Sequence, residues 1–152
     1  MMLTGRIVKG GPPCWCAECE IIGAYTDGTS RKDALMMLAD CIETKIDHAG
    51  LKVTVTEIGE SALGGYDVLV DSSEPAVLAA EVLRHQRQKN RLSLADVAKK
   101  LGSSSRNAYA SYEQGAREPS LSKFRELLAA VAPDMVLSVG PRTSAKRKTK
   151  LR

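Results

Sequence analysis

Aromatic residues are scarce in this sequence, which has one tryptophan, one phenylalanine and four tyrosines among its 152 residues. Leucine, valine, isoleucine and alanine must therefore fill the interior, and a hydrophobic fraction of 43% is enough for them to do so. A chain of this length buries one core of ordinary size or two small ones.

The sequence also lacks an apolar run approaching the ~18 to 20 residues of a membrane-spanning helix, and it lacks a charged-then-apolar leader. We therefore expect a cytoplasmic protein with no membrane partner. The two histidines, His48 and His85, lie in different halves of the chain, and no serine stands in a nucleophile motif. These absences predict that the protein is not an enzyme and that it needs no cofactor.

Charge is distributed unevenly along the chain. Residues 1–74 contain twelve Asp and Glu against six Lys and Arg, whereas residues 75–152 contain six against sixteen. Each half repels what the other attracts, so we expect partners of opposite charge. Nucleic acid suits the basic half and a basic protein suits the acidic half. The alternative for the acidic half is a domain whose charges are simply solvated.

The apolar pattern changes near residues 71–75, where we place a domain boundary. Before it, alternation predicts strands at residues 3–9, 15–22, 25–26 and 51–58. A helix opening at the Ser30–Asp33 capping spacing and ending at Gly50 lies between the last two. Residues 59–71 fit either a further strand or a linker. Residues 1–71 are thus predicted to be a small antiparallel sheet with one helix, in a chain of α+β class.

After the boundary the pattern is helical as far as Val131, which predicts an all-α domain over residues 72–139. Ser93 and Asp96 have the spacing of a capping box at the start of a short helix. Gly102 then supplies a turn, and a second short helix over residues 106–114 is closed by Gly115.

The end of the chain has a different character. Residues 135–139 are expected to be extended. Residues 140–152 carry six positive charges and no negative ones, and this basic tail is expected to be disordered. The tail either adds non-specific attraction to phosphates or is a solvated end.

The run from Leu92 to Leu128 resembles the XRE, or Cro/lambda-repressor, class of helix-turn-helix. This sequence has about one extra residue after Gly102, which we place at residues 103–105. The resemblance implies sequence-specific binding to operator DNA, with the second short helix in the major groove. The matching residues are Leu92, Ser93, Val97, Ala98, Leu101, Gly102, Tyr112, Glu113, Gln114, Gly115, Glu118, Pro119 and Ser120.

On this phasing the first turn of the second short helix faces the bases. Arg is bidentate to guanine, Asn to adenine, Ser bonds to several bases, and Ala leaves room for a thymine methyl. The expected base contacts are Arg106, Asn107, Ala108 and Ser111. For Arg106 the alternative is an ordinary surface charge.

Phosphate contacts are expected from hydroxyls and charges near helix N-termini. The candidates are Ser104, Ser105, Arg117 and Lys123, whereas Tyr109 and Tyr112 are expected in the core.

A single helix-turn-helix reads few base pairs, so we expect a homodimer or tetramer. The contacts between copies would involve residues 135–139 and the exposed side of the last predicted helix, in which Leu121, Phe124, Leu127 and Leu128 have helical spacing.

The front half resembles the HicB family, the antitoxins of bacterial HicA–HicB toxin–antitoxin pairs. The resemblance covers about residues 1–70. It rests on the run from Gly23 to Gly28, on residues 29–33 with Ala34 and Leu35 opening the helix, and on the preceding strand with Trp15. It implies a truncated ribonuclease-H-like sheet that inhibits a small basic mRNA-cleaving toxin. The other half would then repress the operon that encodes both proteins.

Toxin contacts are expected at Glu18, Glu20 and Asp27, which lie on or beside the second predicted strand, and Asp33, Asp40 and Glu43 are alternatives. A ribonuclease H site would need converging carboxylates around two metal ions. Glu18 and Glu20 share a strand face, Asp27 lies in a turn, and the first strand has no Asp, so catalysis is disfavoured. The remaining alternative is a free-standing or prophage-type regulator without a toxin partner.

Three cysteines fall within six residues. In a strand, Cys14 and Cys16 point to one side and Cys19 to the other, so the three do not converge on one ion. No second C-x-x-C motif supplies further ligands. We therefore expect reduced thiols and no metal, with Cys41 separate on the helix.

Overall fold

The computed structural model describes residues 1–103 and 105–137. In these residues five strands and one long helix form a sheet half, and four further helices form a helical half that follows it in the sequence. The α+β class is confirmed. A short 3-10 helix spans Glu20–Ile22. The strands are β1 (Leu3–Lys9), β2 (Trp15–Cys19), β3 (Ala24–Gly28), β4 (Val53–Glu60) and β5 (Tyr66–Ser72); the helices are α1 (Arg31–Ile46), α2 (Pro75–Lys89), α3 (Leu94–Lys100), α4 (Arg106–Glu113) and α5 (Leu121–Val131).

The five strands form one antiparallel sheet in the order β3-β2-β1-β5-β4. Because side chains alternate along a strand, the register gives the sheet two distinct faces. One face is covered by α1, which buries Ala34, Leu38 and Ile42. We call this the packed face. Its buried strand residues are Leu3, Ile7, Ala17, Cys19, Ala24, Val53, Val68 and Val70.

The opposite face, which we call the open face, has no buried side chain within the described residues. It is rich in hydroxyl and carboxylate groups, and its members come from all five strands. They are Thr4, Arg6, Val8, Cys16, Glu18, Tyr25, Asp27, Thr54, Thr56, Asp67, Leu69 and Asp71. A sheet with one packed and one solvated face is typical of antiparallel architecture.

The segment that the sequence left open between strand and linker is strand β5. It lies inside the sheet, between β1 and β4, with Leu3 opposite Val70 and Ile7 opposite Tyr66. Its side chains alternate, with Tyr66, Val68 and Val70 on the packed face and Asp67, Leu69 and Asp71 on the open face. The strand raises the count of strands above that predicted and places its carboxylates on the open face.

Three other predicted details are wrong. The second strand ends at Cys19 and not at Ile22, because Glu20–Ile22 turn into the 3-10 helix and bury Ile22. Asp27 lies in β3, opposite Cys16, and not in a turn. Helix α1 ends at Ile46 and not at Gly50, because Asp47 adopts a left-handed conformation with φ of 50° and its backbone N–H bonds to Glu43.

One glycine sets how closely α1 approaches the sheet. A Cβ placed on Gly28 would lie 2.4 Å from the backbone nitrogen of Ala34, in the first turn of α1. Such contacts force the backbone to shift. Gly28 therefore lets α1 start immediately against the edge strand, where Ser30 caps it by accepting a hydrogen bond from the Asp33 N–H.

The helical half packs directly on the sheet half. Helix α2 buries Leu78, Val82 and Leu83 in a core that is continuous with the sheet's packed face. Gln86, which is buried, donates from Nε2 to the Ile21 carbonyl at 2.7 Å. These contacts tie the start of the helical half to the 3-10 helix that follows β2.

Two expectations concern the end of the chain. Residues 135–137 belong to no strand, and the rest of the predicted extended segment and the basic tail 140–152 lie outside the described residues. Among the helices that are described, none has the length and apolarity needed to cross a membrane.

Candidate nucleic-acid interface

Helices α3 and α4 are joined by a turn of the type that the glycine at its start predicts. Gly102 has φ of 68°, a left-handed conformation that costs glycine nothing. The N–H of Gly102 bonds to the Lys99 carbonyl and that of Ser103 to the Ala98 carbonyl. This pair of bonds is a Schellman motif, which ends α3 and turns the chain towards α4.

Capping interactions fix where both short helices begin. Ser93 accepts a hydrogen bond from the Asp96 N–H, and the Asp96 carboxylate accepts one from the Ser93 N–H at 2.8 Å. This is the reciprocal capping box that the spacing predicted. Helix α4 begins at Arg106, where the phasing placed it, and Ser105 caps it through the Ala108 N–H.

The first turn of α4 presents three of the four expected base-contacting side chains to solvent. Arg106, Asn107 and Ala108 are all exposed. Ser111 lies one turn later and is half-buried, with its hydroxyl donating to the Ala108 carbonyl at 2.9 Å. The oxygen of Ser111 remains able to accept a hydrogen bond from a base amino group.

Another polar residue shares this face of α4. Gln114, the C-terminal cap of the helix, is exposed and follows Asn107 by seven residues and Ser111 by three. Residues at these spacings lie on one helix face. Sequence reasoning treated Gln114 as part of the helix end, although its spacing from Asn107 already indicated the shared face.

The opposite face of α4 is held in the core. Tyr109 is buried and Tyr112 packs against the same cluster, as expected for both. Glu113 and Arg87 of α2 form a bidentate ion pair, with Nε to Oε1 at 2.7 Å and Nη2 to Oε2 at 2.9 Å. The hydrogen bond to Glu113 raises the pKa of Arg87 further above its ordinary value. A third Arg87 nitrogen, Nη1, donates to the Leu92 carbonyl.

This ion pair holds α4 against the rest of the helical half. Arg87 lies on α2 and donates to Glu113 of α4 and to the carbonyl of Leu92, just before α3. It therefore links all three helices. The planar guanidinium fixes the angle of the carboxylate in a way that a lysine would not. The exposed face of α4 is therefore presented at a set angle to the rest of the domain.

The expected phosphate contacts have different surroundings. Arg117 is exposed in the turn between α4 and α5. The ammonium group of Lys123, in the first turn of α5, lies 2.9 Å from the Glu126 carboxylate, so part of its charge is neutralised. Ser105 is the N-cap of α4, and Ser104 lies outside the described residues.

Comparison with known families addresses the helical half of the chain. Residues 83–131 match a family model described as Helix-turn-helix. Residues 83–131 form an XRE-type helix-turn-helix domain. The protein is accordingly a DNA-binding protein of the transcription-regulator kind. The matched range begins inside α2 and excludes the sheet, and no curated protein gives a significant match to the chain.

In this helix-turn-helix domain, α3 and α4 are the paired helices and α4 is the one available to enter a groove. Its exposed face combines a guanidinium, two amides and a hydroxyl, the groups that read base edges. Helices α2 and α3 pack against α4 and leave that face uncovered within the described residues.

The acidic residues singled out in the front half do not all lie together. Glu18 and Asp27 both lie on the open face of the sheet, on β2 and β3. Glu18 receives two hydrogen bonds from Arg6, at 2.9 and 3.1 Å. Glu20 does not share that face, because it belongs to the 3-10 helix, where its carboxylate lies 3.3 Å from Lys89 of α2.

Two carboxylates on the open face escaped sequence reasoning. Asp67 and Asp71 lie on β5 and face the same side as Glu18 and Asp27. They were missed because β5 was not assigned as a strand. The open face thus carries four carboxylates and one guanidinium, a surface with negative charge in excess.

No group of three or more His, Cys, Asp or Glu side chains is placed to hold a metal ion in the part of the chain that the structure describes.

The hydrogen bonds from Thr29 lower the pKa of Asp33, and those from Val53 and Lys52 lower the pKa of Glu43. For Glu43 the largest contribution is the hydrogen bond from the Val53 backbone. Both carboxylates therefore serve the local structure of α1 and β4.

Proposed function

We propose that this protein is the antitoxin of a type II toxin–antitoxin pair. Its helix-turn-helix domain binds an operator in the DNA upstream of its own gene, and its sheet half binds and inhibits a small basic HicA-like toxin that cleaves mRNA. In this proposal residues 1–71 neutralise the toxin, residues 72–139 bind DNA, and the basic tail adds charge. The observation that carries the proposal is an exposed, polar α4 face on a domain joined to a sheet with an acidic open face.

Operator reading is assigned to Arg106, Asn107, Ala108 and Ser111. The first three are exposed at the N-terminus of α4, where a recognition helix meets the floor of the major groove. Ser105 and Arg117 flank them and are assigned to phosphate contacts. Lys123 is assigned to a phosphate as well, and its ammonium group must leave the Glu126 carboxylate to make that contact. Because a single domain reads few base pairs, the protein is proposed to act as a homodimer or tetramer on paired half-sites.

Toxin binding is assigned to the open face of the sheet. Glu18, Asp27, Asp67 and Asp71 lie on it, and complementary charge would attract a basic protein and set its orientation. Glu20, a candidate from the sequence, is displaced to the side and paired with Lys89. Asp40 is exposed on α1, which covers the opposite face.

Replacing Arg106 by alanine is expected to weaken binding to the protein's own upstream DNA by about 1–3 kcal/mol and to relax sequence preference, because a bidentate contact to a base edge is lost. The measurement is a competition assay, in which unlabelled duplexes of the upstream sequence and of a scrambled sequence displace a labelled upstream duplex from the protein. Arg117→Ala is the matched comparison. Because Arg117 is assigned to a phosphate, Arg117→Ala should weaken binding to both duplexes equally. It should also lower the slope of the logarithm of the binding constant against the logarithm of salt concentration by ~1. Equal behaviour of the two variants would contradict the assignment.

The partner proposal predicts that a small basic protein encoded next to this gene copurifies with the chain and that co-expression rescues growth. Asp67→Lys with Asp71→Lys should abolish both effects, since the charge of the open face is reversed. Asp40→Lys is the control, because it changes an exposed carboxylate away from that face. A neighbour that neither binds nor inhibits growth would favour the alternative, a free-standing regulator.

A further inference from the structure

Two thiols on the open side of the sheet are in contact with each other. The sulfur atoms of Cys14 and Cys16 lie 3.9 Å apart. Cys16 is exposed on β2, and Cys14 is half-buried immediately before that strand. The two residues flank Trp15, and all four cysteines of the chain are free. Neither the DNA-binding site nor the acidic residues proposed for toxin binding account for this pair.

We propose that Cys14 and Cys16 form a redox site that hydrogen peroxide, or another small peroxide, converts reversibly into an intramolecular disulfide. The oxidation requires no toxin partner, although the site shares the open face with the residues proposed for toxin binding. Together with Asp27, both thiols line a surface cavity of about 510 Å³, which gives a small oxidant direct access. A disulfide has an S–S length of about 2.0 Å, so closure brings the sulfurs about 2 Å nearer than the 3.9 Å at which they now lie.

The environment distinguishes the roles of the two thiols. The contact with Cys16 raises the pKa of Cys14, and Cys16 is exposed whereas Cys14 is half-buried. We assign the first attack to Cys16, because it is the more accessible of the two sulfurs to a small peroxide. Cys14 is the resolving residue beside it.

The reaction balances in two steps. The Cys16 thiolate attacks one peroxide oxygen, the O–O bond breaks, Cys16 becomes a sulfenic acid, and the hydroxide released takes up a proton to form water. Cys14 then attacks the Cys16 sulfur, the S–S bond forms, the S–O bond breaks, and the proton of Cys14 leaves with the hydroxyl group as a second water. Two thiols are oxidised and one peroxide is reduced. Exposed disulfides are readily reduced again by dithiols.

The other two cysteines do not compete. Cys19 is buried on the packed face, where its thiol donates to the Thr4 carbonyl, and burial raises its pKa to about 12. It is therefore a protonated thiol at neutral pH. Cys41 lies on α1, where its thiol lies 3.7 Å from the Tyr25 carbonyl. It is a single thiol without the contact that joins Cys14 to Cys16.

The test treats the full chain with hydrogen peroxide, blocks the remaining thiols with iodoacetamide after unfolding, and maps the tryptic peptide over residues 10–31 by fragment mass. We expect the loss of two hydrogen atoms between Cys14 and Cys16, with Cys19 and Cys41 alkylated. The rate should not depend on protein concentration. Dithiothreitol should restore the thiols, and the fluorescence of Trp15, the single tryptophan, should follow both changes.

Three variants make the test decisive. Cys14→Ser should stop at a Cys16 sulfenic acid that dimedone traps, Cys16→Ser should react at least ~10-fold more slowly because the nucleophile is gone, and Cys41→Ser should behave as the unmodified chain. The proposal is overturned if the disulfide joins two chains or includes Cys19 or Cys41. It is also overturned if Cys16 passes to sulfinic acid without closing, or if Cys14→Ser forms as much intramolecular disulfide as the unmodified chain.

Discussion

Replacing Glu113 by alanine is expected to lower the free energy of unfolding by about 3–5 kcal/mol and to abolish operator binding under conditions where the chain is otherwise folded. Glu113 is 7% exposed and Arg87 is 16% exposed, so the change leaves a nearly buried guanidinium without its carboxylate. Urea unfolding followed by circular dichroism measures the first effect, and a gel shift on the upstream DNA measures the second.

Two further variants separate the ion pair from its surroundings. Glu118→Ala removes an exposed carboxylate from the turn after α4 and should change stability by less than ~0.5 kcal/mol. The double variant Arg87→Met with Glu113→Leu should recover most of the loss, because apolar pairs replace buried ion pairs at little cost. If Glu113→Ala were as stable as the unmodified chain, the ion pair would not be what holds α4 against α2.

The second large effect is expected at Leu78, which is fully buried where α2 meets the core. Leu78→Ala should lower the free energy of unfolding by about 2–5 kcal/mol through lost contacts and a residual cavity. Because one core runs through both halves, the change in α2 should also destabilise the sheet. The fluorescence of Trp15 reports the sheet half, and the circular dichroism signal reports mainly the helices.

The two signals should therefore shift to lower urea together. Leu121→Ala is the matched control, since this leucine is 69% exposed on α5 and its loss should cost less than ~0.5 kcal/mol. A transition of Trp15 that stays unchanged while the helical signal shifts would show two independently folding domains. That result would support the division predicted from the sequence, with residues 1–71 and 72–139 as separate folding units.

The parts of the fold that sequence reasoning recovered are those with local signals. Ser93, Asp96 and Ser105 act on backbone groups within one turn, and Gly102 and Gly115 end helices through their own conformations. The start of α4, and with it the exposure of Arg106 and Asn107, follows from these local rules.

The parts that were missed depend on partners distant in sequence. Strand β5 is specified by pairing with β1, about sixty residues earlier, and so Asp67 and Asp71 were not recognised as part of the open face. Glu20 leaves the strand because Ile22 is buried and Lys89 provides an ion pair from α2. The Arg87–Glu113 pair joins residues 26 apart, and no periodicity in either helix indicates it.

The cysteine pair illustrates an intermediate case. Strand alternation correctly separated Cys19 from Cys14 and Cys16, because direction along a strand is a local property. The 3.9 Å contact between the two sulfurs depends on how the chain enters β2 after the turn at residues 10–13. The spacing in the sequence therefore indicated that Cys14 and Cys16 lie on the same side, but not that their sulfurs are in contact.

The central claim is that α4 reads operator bases through Arg106 in the major groove. The most direct measurement is methylation interference on the upstream DNA, since methylating guanine N7 blocks the bidentate contact of an arginine. We predict interference at a guanine in each of two half-sites about 10 base pairs apart, and its selective loss with Arg106→Ala. Interference that is absent, spread evenly over the duplex, or unchanged in Arg106→Ala would contradict the claim.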